Sequence, residues 1–294
     1  MKVLFVAVFT PNSTNVSQSR GFKQNGCDVY EYDYRQRLAD LGNNITKRDD
    51  DLINEVNNFK PELVIFSKCN QMHYRVVDEC NKVSKTCMWY MDSTDNFNNE
   101  LIEKIKRCSY NVVGIPGMVH HFKKFNEKSY FVDQCPDEKM NFMLNDFQYK
   151  NDVVFIGNIN SITHSDRRRY LQSVPMIKHV NNVNGLEHNR MVNETKININ
   201  FSHTDGNGAS VRIYKILASG GFLMTTPWVE DYMESSFTPG EDFIVFNNEI
   251  ELKESINYYL KNENERNKIR LSGYNKVQEY LPKYWAKKII DLYE

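Results

Sequence analysis

The sequence predicts an α/β fold of two parallel-sheet domains facing a cleft, and three observations carry that expectation. Short apolar runs alternate with segments of helical period through most of the chain, the pattern of repeated βαβ units. The alternation starts twice, at Val3–Phe9 and at Asp152–Gly157, each time as an apolar strand followed by a polar loop. Finally, 294 residues suffice for two domains of about 150 residues, each with its own core.

Val3–Phe9 is continuously apolar, as a central parallel strand covered on both faces requires. The run has the apolar flavour of a signal peptide, but it is short and Thr10-Pro11-Asn12-Ser13 follows as a loop, so secretion is not expected. Val16–Asn25 reads as a helix closed by Gly26, and Asp28–Tyr34 as the second strand. Asp49–Phe59 is a helix whose first acidic residues suit the positive end of its dipole. Pro61 restarts the chain into strand Glu62–Ser67. Helix Tyr74–Ser84, strand Thr86–Met91, helix Glu100–Lys106, strand Tyr110–Ile115, Gly117–Phe125 and strand Tyr130–Asp133 continue the alternation. Together they make about six strands, a doubly wound, Rossmann-like sheet. Pro136–Lys150 is polar and aperiodic and holds the interdomain connection. The expected division is a first domain over 1–148, a second, also Rossmann-like, over 149–275, and a C-terminal helix in 276–294 packing back on the first.

A hydrophobic content of 40% with 26% charged residues is that of a soluble globular protein, and no window approaches the ~18 apolar residues of a membrane span. A cytoplasmic location is expected, in a host cytoplasm if the chain is phage-encoded. The six cysteines fall in the first half with no C-x-x-C pair, so they read as buried reduced thiols. A net charge of −1 gives no strong footprint for nucleic acid. His120-His121 has no third ligand nearby in sequence, and no metal site is expected.

The stretch from Ile197 to Glu241 carries the chemistry. It holds an apolar strand (Ile197–Phe201), a Gly-rich loop (His203–Gly208), a helix from Ser210 to Ser219, a Gly220-Gly221 stop, a second strand (Phe222–Thr226) and a loop ending at Glu241. Strand, Gly loop and helix N-terminus build an anion site at the carboxyl end of a parallel sheet. On that helix Arg212, Lys215 and Ser219 fall on one stripe, while Ile213, Ile216, Leu217 and Gly220 fall on the other. The two cations therefore point the same way, toward an anion or toward solvent. Gly157-Asn158 offers a second close-approach loop, and Arg168 or a neighbour in Arg167-Arg168-Arg169 could reach a phosphate.

Several segments resemble the two-domain GT-B glycosyltransferases, and within them the spore-maturation (CgeB-type) and group-1 branch. These are FIGN at Phe155–Asn158 with the arginine run, KININ at Lys196–Asn200, SVRIYKILASGGFLMTT at Ser210–Thr226 and PGE at Pro239–Glu241. In the first half MKVLFV, WYMD at Trp89–Asp92 and PDEK at Pro136–Lys139 agree more loosely. The resemblance implies transfer of a sugar from a nucleotide-sugar, a UDP-sugar foremost, to an acceptor hydroxyl, with no tightly bound metal or cofactor. It implies a donor set in the second domain of Gly157, Asn158, Arg168, Ser202, Ser210, Tyr214, Thr226, Glu230 and Glu241, with Arg212 and Lys215 on the phosphates. Glu230 and Glu241 compete as the carboxylate that accepts from sugar or ribose hydroxyls. Lys215 and Asn207 stand where many retaining members carry glutamates, so neither retention nor inversion is implied.

On the acceptor side, Asp92 at a strand end is the candidate general base, with Ser13, Thr14, Lys68 and His73 as further candidates. An Asp in that place also serves as a helix cap, as Ser93-Thr94-Asp95 after it allows. Two other readings stand beside this one. A phage- or virus-type enzyme would glycosylate a hydroxymethylated pyrimidine in DNA, against which the near-neutral charge weighs. A nucleotide- or sugar-binding module would bind without turnover.

Overall fold

The computed structural model describes residues 1–92, 97–160, 165–202, 210–227 and 236–294. The chain forms two compact units, one of Met1–Gln134 with Pro282–Glu294, the other of Cys135–Leu281.

The first unit begins with β1 (Lys2–Ala7), α1 (Thr14–Gln24), β2 (Asp28–Asp33), α2 (Tyr34–Asp40) and α3 (Ile45–Phe59). It continues through β3 (Leu63–Ser67), α4 (Arg75–Cys80), β4 (Lys85–Tyr90), α5 (Asn99–Arg107), β5 (Tyr110–Val113), α6 (Val119–Lys123) and β6 (Ser129–Phe131). All strands pair in parallel in the order β2-β1-β3-β4-β5-β6, with Phe5 opposite Ile65 and Ile65 opposite Cys87. β1 and β3 are the continuous apolar runs that a sheet covered on both faces selects, and their interior residues are fully buried. Polar caps set the helix starts. The Ser13 hydroxyl accepts from the Asn15 N–H, the Asp33 carboxylate from Arg35 and Gln36, and the Asn44 side chain from Lys47. Read from period alone, the helix after the second strand starts at Asp49; the cap places it four residues earlier, in a turn with no apolar stripe.

The second unit runs β7 (Asn151–Ile156), α7 (Ser165–Ser173), β8 (Lys178–Val180), α8 (Gly185–Asn193), β9 (Thr195–Asn200), α9 (Val211–Ala218), β10 (Leu223–Thr225), β11 (Ile244–Val245), α10 (Glu249–Lys261) and α11 (Glu263–Val277). Its parallel sheet has the order β11-β10-β9-β7-β8 and puts β9 at the centre, with Ile197 opposite Val153 and Ile199 opposite Met224. One face packs Val154, Ile213, Leu217 and Phe243, the other Phe155, Ile199, Phe201 and Ile256. The polar segment before β7 belongs to this unit, where α8 holds it: the Phe142 and Leu144 N–H groups donate to the Asn189 and Asn193 side-chain carbonyls.

The last helix, α12 (Pro282–Tyr293), is part of the first unit. It crosses α1 at Gly21, where a Cβ would stand 2.1 Å from the Pro282 carbonyl oxygen, so only glycine permits the approach. Trp285 then packs edge-on against Phe22 and Trp89, at ring separations of 5.6 and 5.2 Å.

Candidate functional site

In the second unit the polar groups converge where β9 ends. Asn200 is fully buried there, and its amide joins three elements. Its carbonyl oxygen accepts from the Arg212 guanidinium at 2.9 Å and the Ser210 hydroxyl at 3.0 Å, and its NH2 donates to the Thr225 hydroxyl at 2.9 Å. Ser210 is the N-cap residue of α9, yet its hydroxyl goes to Asn200 instead of capping the helix. Arg212 thereby lies 5.2 Å from the Phe155 ring centre and against Gly157, where a Cβ would come within 2.7 Å of its Nη2. What approaches Gly157 so closely is thus the protein's own guanidinium, a reason for glycine that is independent of any ligand.

Arg167, which is buried, supplies a second cation, 5.9 Å from the Phe155 ring, donating to the Asn158 carbonyl at 3.0 Å. Arg168 donates to the Ile159 carbonyl at 2.5 Å, while exposed Arg169 pairs with Glu249 at 2.9 Å. Arg167 and Arg168 therefore both fasten the loop after β7, and Arg167 is the one beside Arg212. Burial, and then the charge of Arg167, push Arg212 down to about 9. Burial lowers Arg167 too, and neither guanidinium pairs with a carboxylate among the described residues. Lys215, one turn along the same stripe, is lowered by burial and then by Arg212, with Asp137 opposing. His188 of α8 faces both cations; burial, then Lys215 and Arg212, drive it down to about 3, and its buried Nδ1 has no hydrogen-bond partner among the described residues.

The other donor-side candidates are placed as follows. Ser202 donates its N–H to the Thr226 hydroxyl at 2.8 Å and its own hydroxyl to the Thr226 carbonyl at 3.0 Å, so the two tie β9 to β10. Tyr214 lies on the core face of α9 between Phe237 and Tyr280. Asn158 is exposed, its side chain accepting from the Asn160 N–H at 2.7 Å. Glu241 is exposed on the turn before β11, whose buried carboxylate is instead Asp242, bonded to the Thr238 N–H and the Ser272 hydroxyl. Glu230, Asn207 and the His203–Gly208 loop lie outside the described residues. Asn200 and His188 are not singled out by the sequence, and Arg167 enters there only as a neighbour of Arg168 in the arginine run. The signal available for Asn200 was its place at the polar end of a strand feeding the glycine loop.

In the first unit Lys68 and Asp92 form an ion pair of 2.5 Å from the ends of adjacent strands, β3 and β4. Ser13 is the cap of α1 and Thr14 its first residue, its carbonyl accepting from the Ser17 hydroxyl. The neighbouring Asn15 is buried and donates to the Ser67 hydroxyl at 2.8 Å. His73 is exposed and its Nδ1 accepts from the Arg75 N–H, a capping role before α4. The imidazoles of His120 and His121 lie against each other, and no group of three metal-ligating side chains occurs among the described residues. Nor is any described helix long and apolar enough to cross a membrane.

No curated protein matches the sequence. Solved structures match the whole chain at very low identity. A sucrose-phosphate synthase from Thermosynechococcus elongatus superposes with a TM-score of 0.67 at 9% identity, over 100% of this chain and 98% of its own. HepE from Anabaena, solved in complex with UDP and glucose, gives 0.67 at 9% over 99% and 98%. A glycosyltransferase from Rickettsia africae ESF-5 gives 0.67 at 10% over 99% and 97%. The fold is therefore that of the GT-B glycosyltransferases. The sequence profile of the family described as glycosyl transferase-like matches residues 139–291. That match covers over half of the chain and takes in β7, the glycine beneath Arg212 and all of α9, so the protein belongs to the glycosyl transferase-like family.

Proposed function

We propose that the protein transfers a sugar from a nucleotide-sugar, with UDP as the favoured nucleotide, to an acceptor hydroxyl, without a bound metal. The observation that carries the reading is the pair of guanidiniums, half-buried Arg212 and buried Arg167, held by neutral oxygens and an aromatic face, with no carboxylate on either among the described residues. Buried cations left uncompensated cost stability unless an anion binds them, and a diphosphate is an anion of matching shape and charge. Lys215 and the first N–H groups of α9 complete a cationic cradle at the end of β9. The structures of HepE with UDP and with UDP-glucose support that choice of nucleotide.

In the step itself the bond between the sugar's anomeric carbon and the diphosphate oxygen breaks, and its electron pair stays on the diphosphate, where Arg212 and Lys215 stabilise the added charge. The acceptor oxygen forms the new bond and Asp92 takes its proton. Lys68, 2.5 Å from one Asp92 oxygen, fixes the direction of that carboxylate. Of the remaining donor-side candidates, Gly157, Arg168, Ser202 and Thr226 shape the loops around the cradle, while Glu241 is available to sugar hydroxyls. The likeness of Ser210–Thr226 to the spore-maturation branch supports membership there, and a cytoplasmic enzyme fits the six free thiols.

The test is a panel of nucleotide-sugars read by melting temperature and product formation. UDP and one UDP-sugar should raise the melting temperature, and Asp92→Asn should abolish transfer while leaving UDP binding intact. Binding without turnover for every donor would make this a binding module, and no response to any nucleotide would overturn the reading. Retention on duplex DNA that weakens with salt would instead identify a DNA acceptor.

A further inference from the structure

Beneath the loop after β3 lie three charged side chains, Arg48, Asp49 and Lys104, each at most 1% exposed. The loop above them is unusual in its backbone: Lys68 and Cys69 adopt φ of 61° and 50° in succession, a left-handed conformation that side chains disfavour. Among the described residues, the hydrogen bonds of these three side chains that leave the group all end on this loop. The Lys104 ammonium donates to the Cys69 carbonyl at 2.6 Å and to the Met72 carbonyl at 3.2 Å. Arg48 donates to the Gln71 carbonyl at 2.7 Å while paired with Asp49 at 2.7 Å, and the other Asp49 oxygen accepts from the His73 N–H at 3.1 Å. Four backbone groups of the loop between β3 and α4 are thus gripped from below by buried charge. Such an arrangement is a poor way to gain stability, because apolar side chains of the same volume usually serve as well or better.

What the loop carries outward is Lys68, whose ammonium reaches Asp92. We infer that Arg48, Asp49 and Lys104 form a buried ionic brace that holds Lys68 and Cys69 left-handed and so positions Lys68 on Asp92. They are positioning residues for the acceptor-side pair, acting only through the loop. The purpose assigned to the brace rests on the proposed role of Asp92, but its mechanics do not, and they are testable without an acceptor.

The probe is reductive methylation of the full-length protein with formaldehyde and cyanoborohydride, each lysine followed by mass spectrometry. Lys104→Met keeps the side chain's length and removes its charge; Lys68 should then be modified at least about fivefold faster, with surface Lys82 unchanged as the internal control. Cys69→Gly alone should behave as wild type, since glycine adopts the left-handed conformation without help. In the Lys104→Met background it should return Lys68 at least halfway to its wild-type rate, which general loosening of the unit would not allow. An unchanged Lys68 in Lys104→Met, a rise shared by Lys82, or no recovery in the double variant would each overturn the brace. Should Lys104→Met fail to fold, Cys69→Val keeps the brace but puts a β-branched residue at the left-handed position, and Lys68 must again gain reactivity. Loss of turnover in Asp92→Asn is scored separately, so a failure of the functional reading is distinguishable from a failure of the brace.

Discussion

Replacing Arg212 by methionine should make the second unit more stable and remove the UDP binding proposed for it. The guanidinium falls well below its ordinary value, to about 9, first through burial and then through Arg167. At about 1.4 kcal/mol per unit this sets a ceiling near 5 kcal/mol on the destabilisation from keeping the charge in place. Arg212 is partly exposed, so water that reaches it removes roughly half of that figure. Against the remainder stand the hydrogen bond to Asn200 and the contact with Phe155, about 1 kcal/mol together after desolvation, both lost in the variant. The net expectation is a gain of about 1–2 kcal/mol, or roughly 2–8 °C in the melting temperature of a unit this size. The sign has a pH signature. Because the folded-state value lies below the unfolded one, the cost is full below about pH 9 and shrinks above it, so the advantage of the variant narrows as pH rises through that value. UDP affinity should fall by about 30-fold or more, the worth of a charge-assisted bond. Calorimetry without ligand and titration with UDP check the two halves. A lower melting temperature, or UDP affinity within about threefold of wild type, would refute the reasoning.

Three further outcomes follow from the same geometry. In Gly157→Ala the new methyl group stands 2.7 Å from Arg212 Nη2, so the guanidinium must retreat from Asn200; UDP affinity should drop about tenfold with an unchanged circular dichroism spectrum. His188 takes its proton at about 3 when folded and near 6.5 when unfolded, so it withdraws stability as pH falls through that window, at about 1.4 kcal/mol per unit. His188→Leu should therefore melt less acid-sensitively than wild type from pH 6.5 downward, as thermal scans across that range would show. Gly21→Ala puts a methyl group 2.1 Å from the Pro282 carbonyl and should destabilise the first unit by about 2–3 kcal/mol, read by urea titration of Trp fluorescence.

The apolar strands were legible because burial on both faces leaves little choice of residue, as in Leu63–Ser67. Elements with little apolar content were not. Strand β8 and helix α8 are short and polar, α2 starts from an Asp33 cap inside what reads as strand, and α7 is a run of arginines that period alone cannot orient. The site divides the same way. The shared stripe of Arg212 and Lys215 follows from helical spacing, and the structure puts both next to His188. That Arg167 turns inward while Arg169 turns out depends on where Phe155 and Glu249 stand in space, which no spacing encodes. Arg48, Asp49 and Lys104 sit in charge-rich helices where residue type alone does not set a buried charge apart from an exposed one, and the left-handed pair at Lys68 and Cys69 carries no glycine to announce it.

The return of the last helix to the first unit bears on how the chain is made. Trp285 fills the space between Phe22 and Trp89, and the Pro282 turn closes on Gly21, so a sheet made before the second unit is finished by a helix made after it. The second unit is complete at Leu281 and has everything it needs before α12 leaves the ribosome. Synthesis order and completion order are thus reversed: the N-terminal half must wait, with Phe22 and Trp89 uncovered, while the later half closes. A nascent chain stalled before residue 282 would carry a finished second unit and an unfinished first one, whose exposed aromatic patch is a natural target for chaperones.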